Sequence, residues 1–299
     1  MTSTTGRRVV IVGAGPAGLS AAIALRRLGV QHVTVHEREQ QAGGIPRHTD
    51  HLGFGMRDLH RVMSGPRYAR ALIERATAAR VQLRLGSPLF SLDDVDADAI
   101  VLATGARERP RSARLVPGDR PIGILTTGSL QQLALKGMPV GKRAVIVGAE
   151  HVSFSAIFTL AHVGCRTLAM VTPLPRHQSY AVLKLAAATA RRVPVLTGVD
   201  IAEITGRRRV ESVELTDGRR IECDTVVFTG SWIPDNELAR RSGLKIDPVV
   251  KGPVVDESFR TSRDHVFAIG NLVHRVAAAD RCALDGRAVA ARVVGHFRD

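Results

Sequence analysis

Gly13-Ala-Gly-Pro-Ala-Gly18 sets three glycines in the spacing G-x-G-x-x-G, and an acid, Glu37, stands further along the chain. A short β-branched run, Arg8 to Val12, leads into the loop, and an apolar-rich stretch ending at Gly29 follows it. That order gives each residue a task. Gly13 makes a tight turn, Gly15 lets the backbone approach a pyrophosphate, and Gly18 lets helix and strand pack closely. Pro16 suits the first helical position, and Ala17 and Gly18 follow at a helix N-terminus whose N–H groups and dipole favour phosphate. Glu37 closes a second strand, Val33 to His36, where it can accept both hydroxyls of an adenosine ribose. The chemistry expected is dinucleotide binding.

A second, altered copy lies mid-chain. Val145 to Ser155 reads VIVGAEHVSFS against VIVGAGPAGLS at Val10 to Ser20, and six of the eleven letters agree. Glu150 replaces the glycine whose missing side chain admits pyrophosphate, and Ser153 adds bulk where helix and strand approach. Like charges a few ångströms apart in a partly screened site cost on the order of a few kcal/mol. The expectation is a nucleotide loop whose ligand role has lapsed. A neutralising arginine with a shifted ligand is the alternative, and Arg176 and His177, beyond the next strand, suit a 2′-phosphate on that reading.

Between the two loops, Gly43 to Gly65 holds Arg47, His48, His51, Arg57 and His60. Histidine exchanges protons near neutrality, which makes His48 the first and His51 the second candidate for proton transfer beside a redox cofactor. A polar surface loop or an interface with another chain is the competing reading. The acidic turn Ser91 to Asp98 lacks the glycine and distal Glu of a calcium loop, so no metal site is expected. Cys165, Cys223 and Cys282 are far apart, without C-x-x-C, and fit a reducing compartment rather than a redox disulfide or iron–sulfur site.

These residues must be positioned by a chain of 299 residues, long enough for two domains. Forty-two Lys+Arg, only five of them Lys, against 28 Asp+Glu leave +14. The arginines are scattered, several in pairs and one triplet at Arg207 to Arg209, with no aromatic-interleaved stripe, so nucleic-acid binding is not expected. Arg7-Arg8 and the apolar run to Leu25 mimic a signal peptide, but the glycines interrupt it and the pattern recurs mid-chain. Without a stretch of roughly 20 apolar residues to span a membrane, a cytoplasmic protein is expected.

Three further stretches carry a resemblance: Ala99-Ile-Val-Leu-Ala-Thr-Gly-Ala106, Val226-Val-Phe-Thr-Gly-Ser-Trp-Ile-Pro234 and Phe267-Ala-Ile-Gly-Asn271. With the first loop, Glu37 and Gly43-Gly44, the chain resembles the two-dinucleotide-domain flavoproteins of the pyridine nucleotide–disulfide oxidoreductase superfamily, to which thioredoxin reductase belongs. The resemblance implies an α/β fold of two Rossmann-like dinucleotide-binding domains, the second inserted in the first. FAD would occupy a split domain, residues 1–110 plus 230–299, with a degenerate NAD(P)-binding-like domain over 111–229. It also implies FAD contacts at Gly13, Gly15, Pro16, Ala17, Gly18, Glu37, Arg38, Gly44, Arg47, Leu89, Ala103, Thr104, Gly105, Gly270, Asn271, Ala278 and Ala279. Asn271 departs from the family's Asp, and Ala278 stands where relatives often place a glutamine near the flavin.

A sharper resemblance rests on Gly43-Gly-Ile-Pro-Arg-His48, Phe54-Gly-Met-Arg57, Ser64-Gly-Pro-Arg-Tyr-Ala69, Gly105-Ala-Arg-Glu-Arg109 and Gly123-Ile-Leu-Thr-Thr-Gly-Ser-Leu-Gln-Gln132. These look like the FAD-binding α subunit of opine oxidases, hydrogen cyanide synthase and dye-linked amino-acid dehydrogenases. It implies an FAD and electron-transfer subunit of a hetero-oligomeric amino-acid, opine or amine dehydrogenase, whose partner chains oxidise the substrate or carry an iron–sulfur centre. NAD(P)H use is doubtful on this reading because of Glu150 and Ser153. Two alternatives remain open: a stand-alone NAD(P)H-dependent flavoprotein reductase, and a structural flavin-binding subunit.

Overall fold

The computed structural model describes residues 4, 6–176, 193–274 and 276–298. In chain order its main elements are β1 (Arg8–Val12), α1 (Pro16–Arg27), β2 (His32–His36), α2 (Gly65–Ala78), β3 (Gln82–Arg84) and β4 (Ala99–Leu102). Next come β5 (Ile124–Thr126), α3 (Thr127–Leu135), β6 (Arg143–Val147), α4 (His151–His162), β7 (Arg166–Thr172) and β8 (Val195–Thr197). The chain continues with β9 (Ile201–Thr205), β10 (Ser212–Leu215), β11 (Arg220–Glu222), β12 (Thr225–Phe228), β13 (Val266–Ala268) and α5 (Ala279–His296).

The chain divides into two compact units, Met1–Arg107 with Trp232–Asp299, and Glu108–Ser231. The crossings fall within three residues of Pro110 and Gly230.

The first unit is built on a parallel sheet in the order β13-β4-β1-β2-β3. Successive side chains of a strand face opposite ways, and the runs of β-branched and aliphatic residues bury both faces. Val9 and Ile11 enter one core with Val101, Phe267 and the apolar stripes of α1, α2 and α5. Val12, Ile100, Leu102, Val266 and Ala268 enter the other, against Leu238 and Leu244. α1 and α5 touch along their backbones: a Cβ on Gly286 would come 2.2 Å from the Ala17 carbonyl oxygen. The strand order reverses at β1, whose neighbours are β2 and β4. In parallel α/β sheets the ligand crevice opens at such a switch point, beyond the carboxyl ends of the strands.

The second unit repeats the plan with the parallel order β8-β7-β6-β12-β5. Ala144 and Ile146 face Leu130 of α3 and Phe154, Ile157 and Leu160 of α4. Val145 and Val147 face the other way, toward Ile201, Ile204, Val213 and Leu215 of the antiparallel sheet β9-β10-β11.

Candidate functional site

At the carboxyl end of β1 the chain turns through Gly13, φ +106°, where a Cβ would lie 2.5 Å from the Ala103 carbonyl oxygen. At Gly18 a Cβ would lie 1.9 Å from the Gly13 carbonyl oxygen, so turn, strand and α1 fit only around glycine. Gly15 differs: nothing comes within 4 Å of the Cβ position there. That open space is the cradle expected for a pyrophosphate. Gly15 is also the N-cap of α1, with Pro16 next; no side chain caps the helix, and its first turn holds no acid. The N–H groups and dipole of α1 are left for a ligand.

Glu37 is held at the edge of this cradle. Its Oε2 accepts from the Ala14 N–H at 2.8 Å and its Oε1 from the Glu39 N–H at 2.9 Å. Each carboxylate oxygen keeps a further lone pair for a hydroxyl. Arg38 pairs with Asp235 at 2.9 Å, and the Thr104 hydroxyl donates to the Asp235 carbonyl at 2.7 Å. Gly44, φ +61°, lies against the loop, its Cβ position 2.9 Å from the Gly15 Cα. Ala103 is buried at the end of β4, Gly105 turns at φ +75°, and Leu89 packs against the second core of the unit.

Gly270, φ +67°, is set beside α1, 3.1 Å from the Ala17 side chain at its Cβ position. Asn271 braces the approach to α5: its Oδ1 accepts from the Ala277 N–H at 2.8 Å, and its Nδ2 donates to the Ala277 carbonyl at 3.3 Å. An aspartate could not make the second bond, so the amide has a structural use. α5 starts at Ala279 with Ala278 as N-cap and no side-chain cap. The N-termini of α1 and α5 both lack a side-chain cap, and the residues around the first fit the phosphates and ribose of a dinucleotide such as FAD.

His48 ends a single 3-10 turn, Ile45–His48, directly after Gly44. Its Nε2 lies 2.9 Å from an Arg47 guanidinium nitrogen. Guanidinium only donates, so Nε2 is the acceptor. Arg47 also pairs with Glu39 and donates to the Gln41 carbonyl at 2.5 Å. His51 donates from Nδ1 to the Leu52 carbonyl at 2.8 Å, and its ring lies 5.4 Å from that of Phe54. Thus His48 ends the turn that begins next to Gly44, the residue against the glycine loop, whereas His51 lies beyond that turn. All three cysteines are buried, and burial pushes the Cys282 thiol, the one in this unit, up to about 12.

Sequence reasoning did not find one polar network in this unit. Buried Asp58 accepts from the Tyr68 hydroxyl at 2.8 Å, and its carbonyl accepts from Arg287 at 2.6 Å. Burial holds the Asp58 carboxyl above the usual range, although the Tyr68 bond and Arg287 oppose this.

The second loop is built the same way and finished differently. Glu150 is the N-cap of α4, and its carboxylate accepts from the Ser153 N–H and, at 3.1 Å, from the Ala149 N–H. Ser153, fully buried, accepts the Glu150 N–H at 3.2 Å and lies 2.6 Å from the Thr229 hydroxyl. The carboxylate lies over Gly230, whose Cβ position is 2.4 Å from Oε1. Arg114 donates to the carbonyls of Thr229 and Gly230 at 2.6 and 2.8 Å, and Glu150 is the first of the nearby charges favouring its cation. The helix end that would receive a pyrophosphate thus holds the chain's own anion. Ser153's bulk is absorbed by hydrogen bonds rather than by displacement of the helix. Arg176 is described, but His177 lies outside the described residues. Among the described residues there is no cluster that could hold a metal ion and no helix long and apolar enough to cross a membrane.

A family model described as pyridine nucleotide-disulphide oxidoreductase matches residues 7–286. The chain is 29% identical over 284 residues to the ferredoxin–NAD(+) reductase subunit of a benzene 1,2-dioxygenase system from Pseudomonas putida, covering 88% of this chain and 66% of that one. It is 25% identical over 332 residues to an opine oxidase subunit of Agrobacterium tumefaciens (strain Ach5), covering 94% and 64%. The chain thus spans about two thirds of the length of the curated relatives it matches. Among solved structures it superposes on thioredoxin reductase of T. acidophilum with a TM-score of 0.83, 22% identity, and coverage of 99% and 100%. These findings do not support the expectation that Glu150 and Ser153 exclude NAD(P)H. The frame of the second loop is intact, and what fills its anion position is the side chain of Glu150 rather than backbone.

Proposed function

Because the chain belongs to the pyridine nucleotide-disulphide oxidoreductase family, we propose that it is an FAD-dependent reductase that draws on NAD(P)H and passes electrons to a partner protein. The carrying observation is the first loop: open at Gly15, uncapped at α1 and flanked by a fixed Glu37. FAD, when bound, supplies the conversion of a two-electron donor into single electrons. The Gly13–Gly18 loop and α1 would hold its pyrophosphate, Glu37 its ribose, and Asn271 with the start of α5 would fix the far end of the site. His48, buttressed by Arg47, would hold a proton there. The chain has no C-x-x-C, and burial raises all three cysteine thiols, so exit through a redox disulfide is not part of this reading. The ferredoxin–NAD(+) reductase relative supports a protein as the electron acceptor.

A second reading is favoured by the carboxylate of Glu150. An FAD-carrying member of an amino-acid, opine or amine dehydrogenase complex would need no nucleotide at the second loop, and an opine oxidase subunit is among the relatives. Anaerobic mixing of the purified yellow protein with NADH, then NADPH, separates the two. Rapid loss of the oxidised-flavin absorbance is expected for the reductase. Flavin that only dithionite reduces would overturn that reading and favour the dehydrogenase complex.

A further inference from the structure

Residues 52–64 form a small antiparallel ribbon, Leu52–Phe54 with Met63–Ser64, in which Leu52 faces Ser64 and Phe54 faces Met63. The connection is tight, the Gly55 carbonyl accepting the N–H groups of both Leu59 and Arg61 at 3.1 Å. One side of the ribbon is pinned: Leu59, Phe54 and Met63 pack into the core with Tyr68. A bulge between Leu52 and Phe54 breaks the strand alternation, and the residues outside that core contact are exposed and of two kinds. Leu52, Met56 and Val62 are 69%, 50% and 64% exposed. Arg57, His60 and Arg61 are exposed beside them. The one acid in the ribbon, Asp58, is buried under Tyr68. The two exposed groups from 52 to 64 that carry a formal charge at pH 7, Arg57 and Arg61, are therefore both cationic.

The ribbon is also tied to the candidate cofactor site at both roots. The Arg57 N–H donates to Asp280, beside Ala278 and Ala279 at the start of α5, at 3.3 Å. On the other side Gly65 donates to the Thr49 carbonyl at 3.2 Å, closing the segment that runs from Gly44 at the glycine loop.

From this geometry, and resting on the electron-transfer reading above, we infer that the ribbon is the docking surface for a protein electron acceptor with an acidic face around an apolar centre. Three exposed apolar side chains, Leu52, Met56 and Val62, with two arginines on the same ribbon match that pattern. Electron-transfer encounters of this kind use small interfaces and gain speed from opposite charge. A second copy of this chain does not fit, since it would set Arg57 and Arg61 against the same cations on a chain of net charge +14. Single-stranded nucleic acid is read on aromatic platforms, and the ribbon's one aromatic, Phe54, packs against Tyr68 and His51. An anionic membrane also meets cations and aliphatic groups, but interfacial anchors are typically Trp and Tyr, which the ribbon lacks.

The test is rapid mixing of the full FAD-loaded chain, reduced with stoichiometric dithionite, against an acidic ferredoxin carrying a Rieske [2Fe–2S] centre, whose potential lies well above that of plant-type centres and makes transfer from a reduced flavin downhill, with a neutral quinone as control acceptor. Transfer to the ferredoxin should slow about tenfold as salt rises from low to physiological strength. Arg61→Glu should slow it about tenfold at low salt and flatten the salt dependence, and Leu52→Ser/Val62→Ser should slow it at every salt concentration. Quinone reduction should stay within twofold of the parent in both variants. Parent-like ferredoxin rates and salt slope in both variants would overturn the surface while leaving the reductase reading intact. Sedimentation of the parent chain, but not Arg61→Glu, with phosphatidylserine vesicles would overturn the partner in favour of a membrane. No transfer to the ferredoxin, with quinone reduced normally, would instead remove the electron-transfer reading and this inference together.

Discussion

Replacing Glu150 by glycine tests whether the second loop is weakened by its own anion. The carboxylate takes the Ala149 and Ser153 N–H groups that a pyrophosphate would use, so ligand and side chain compete for one place. If the side chain stayed beside the ligand, charges about 5 Å apart at an effective dielectric near 20 would repel by about 3 kcal/mol. If it left, it would surrender a cap worth about 1 kcal/mol together with the attraction of Arg114. Either route costs about 2–4 kcal/mol, which is about 30- to 1000-fold in affinity. Steady-state reduction of a small acceptor by NADH should therefore show KM falling about 100-fold in Glu150→Gly, with kcat within about twofold. Glu150→Gln, which keeps the bulk but not the charge, should recover about a tenth of the gain. Glycine is itself a tolerated N-cap, so Glu150→Gly should move Tm by only about a degree, whereas Glu150→Ala, which loses a cap worth about 1 kcal/mol, should lower it by a few degrees. A folded Glu150→Gly protein whose KM for NADH equals the parent's would refute the competition.

Three other outcomes follow from the first unit. Glu37→Ala should raise the Kd for FAD about 10- to 100-fold, from loss of charged hydrogen bonds worth about 1.5–3 kcal/mol, read as FAD fluorescence released on dilution. Gly286→Ala drives a methyl group into the Ala17 carbonyl, and overpacking of about 3 kcal/mol should lower the melting temperature of the unit by roughly 6–12 °C. Asp58→Asn keeps an acceptor for Tyr68 but cannot ionise. Because burial raises the folded pKa of Asp58, its contribution to stability is present below the unfolded value near 3.9 and is lost as pH rises through the folded value. The Tm of Asp58→Asn relative to the parent should therefore climb as pH rises above the unfolded value near 3.9; a difference that stays flat with pH would refute this.

Much of the frame is legible in the sequence because local signals coincide. β1, the glycine loop, α1 and β2 are each marked by residue type and spacing, and the structure places them where those signals fall. Glu150, taken by itself, reads as damage to a loop. Its pairing with Ser153 three residues on is the spacing of a capping box with the acid and hydroxyl exchanged, and that signal is present in the sequence. Other features leave no local trace. Arg114 reaches carbonyls at Thr229 and Gly230, and Arg287 reaches Asp58, each across more than a hundred residues. The ribbon at 52–64 has strands of three and two residues, too short for alternation to register, so its sequence reads as a compact loop.

One loop leaves its helix end bare and the other finishes it with a carboxylate, and this divides the thermodynamics of the chain. A ligand that binds only the folded form adds about 2.7 kcal/mol of stability at one hundred times its Kd. The first unit, whose α1 has no side-chain cap of its own, has such a contribution to gain, whereas α4 carries its cap in its own sequence. Stripping the flavin should therefore lower and broaden the melting of the first unit while the second melts at an unchanged temperature. The chain then behaves as one half completed in the cell by cofactor supply and one half completed at synthesis. Shortage of flavin would appear first as degradation from the terminal segments inward, with the central unit surviving as a folded fragment.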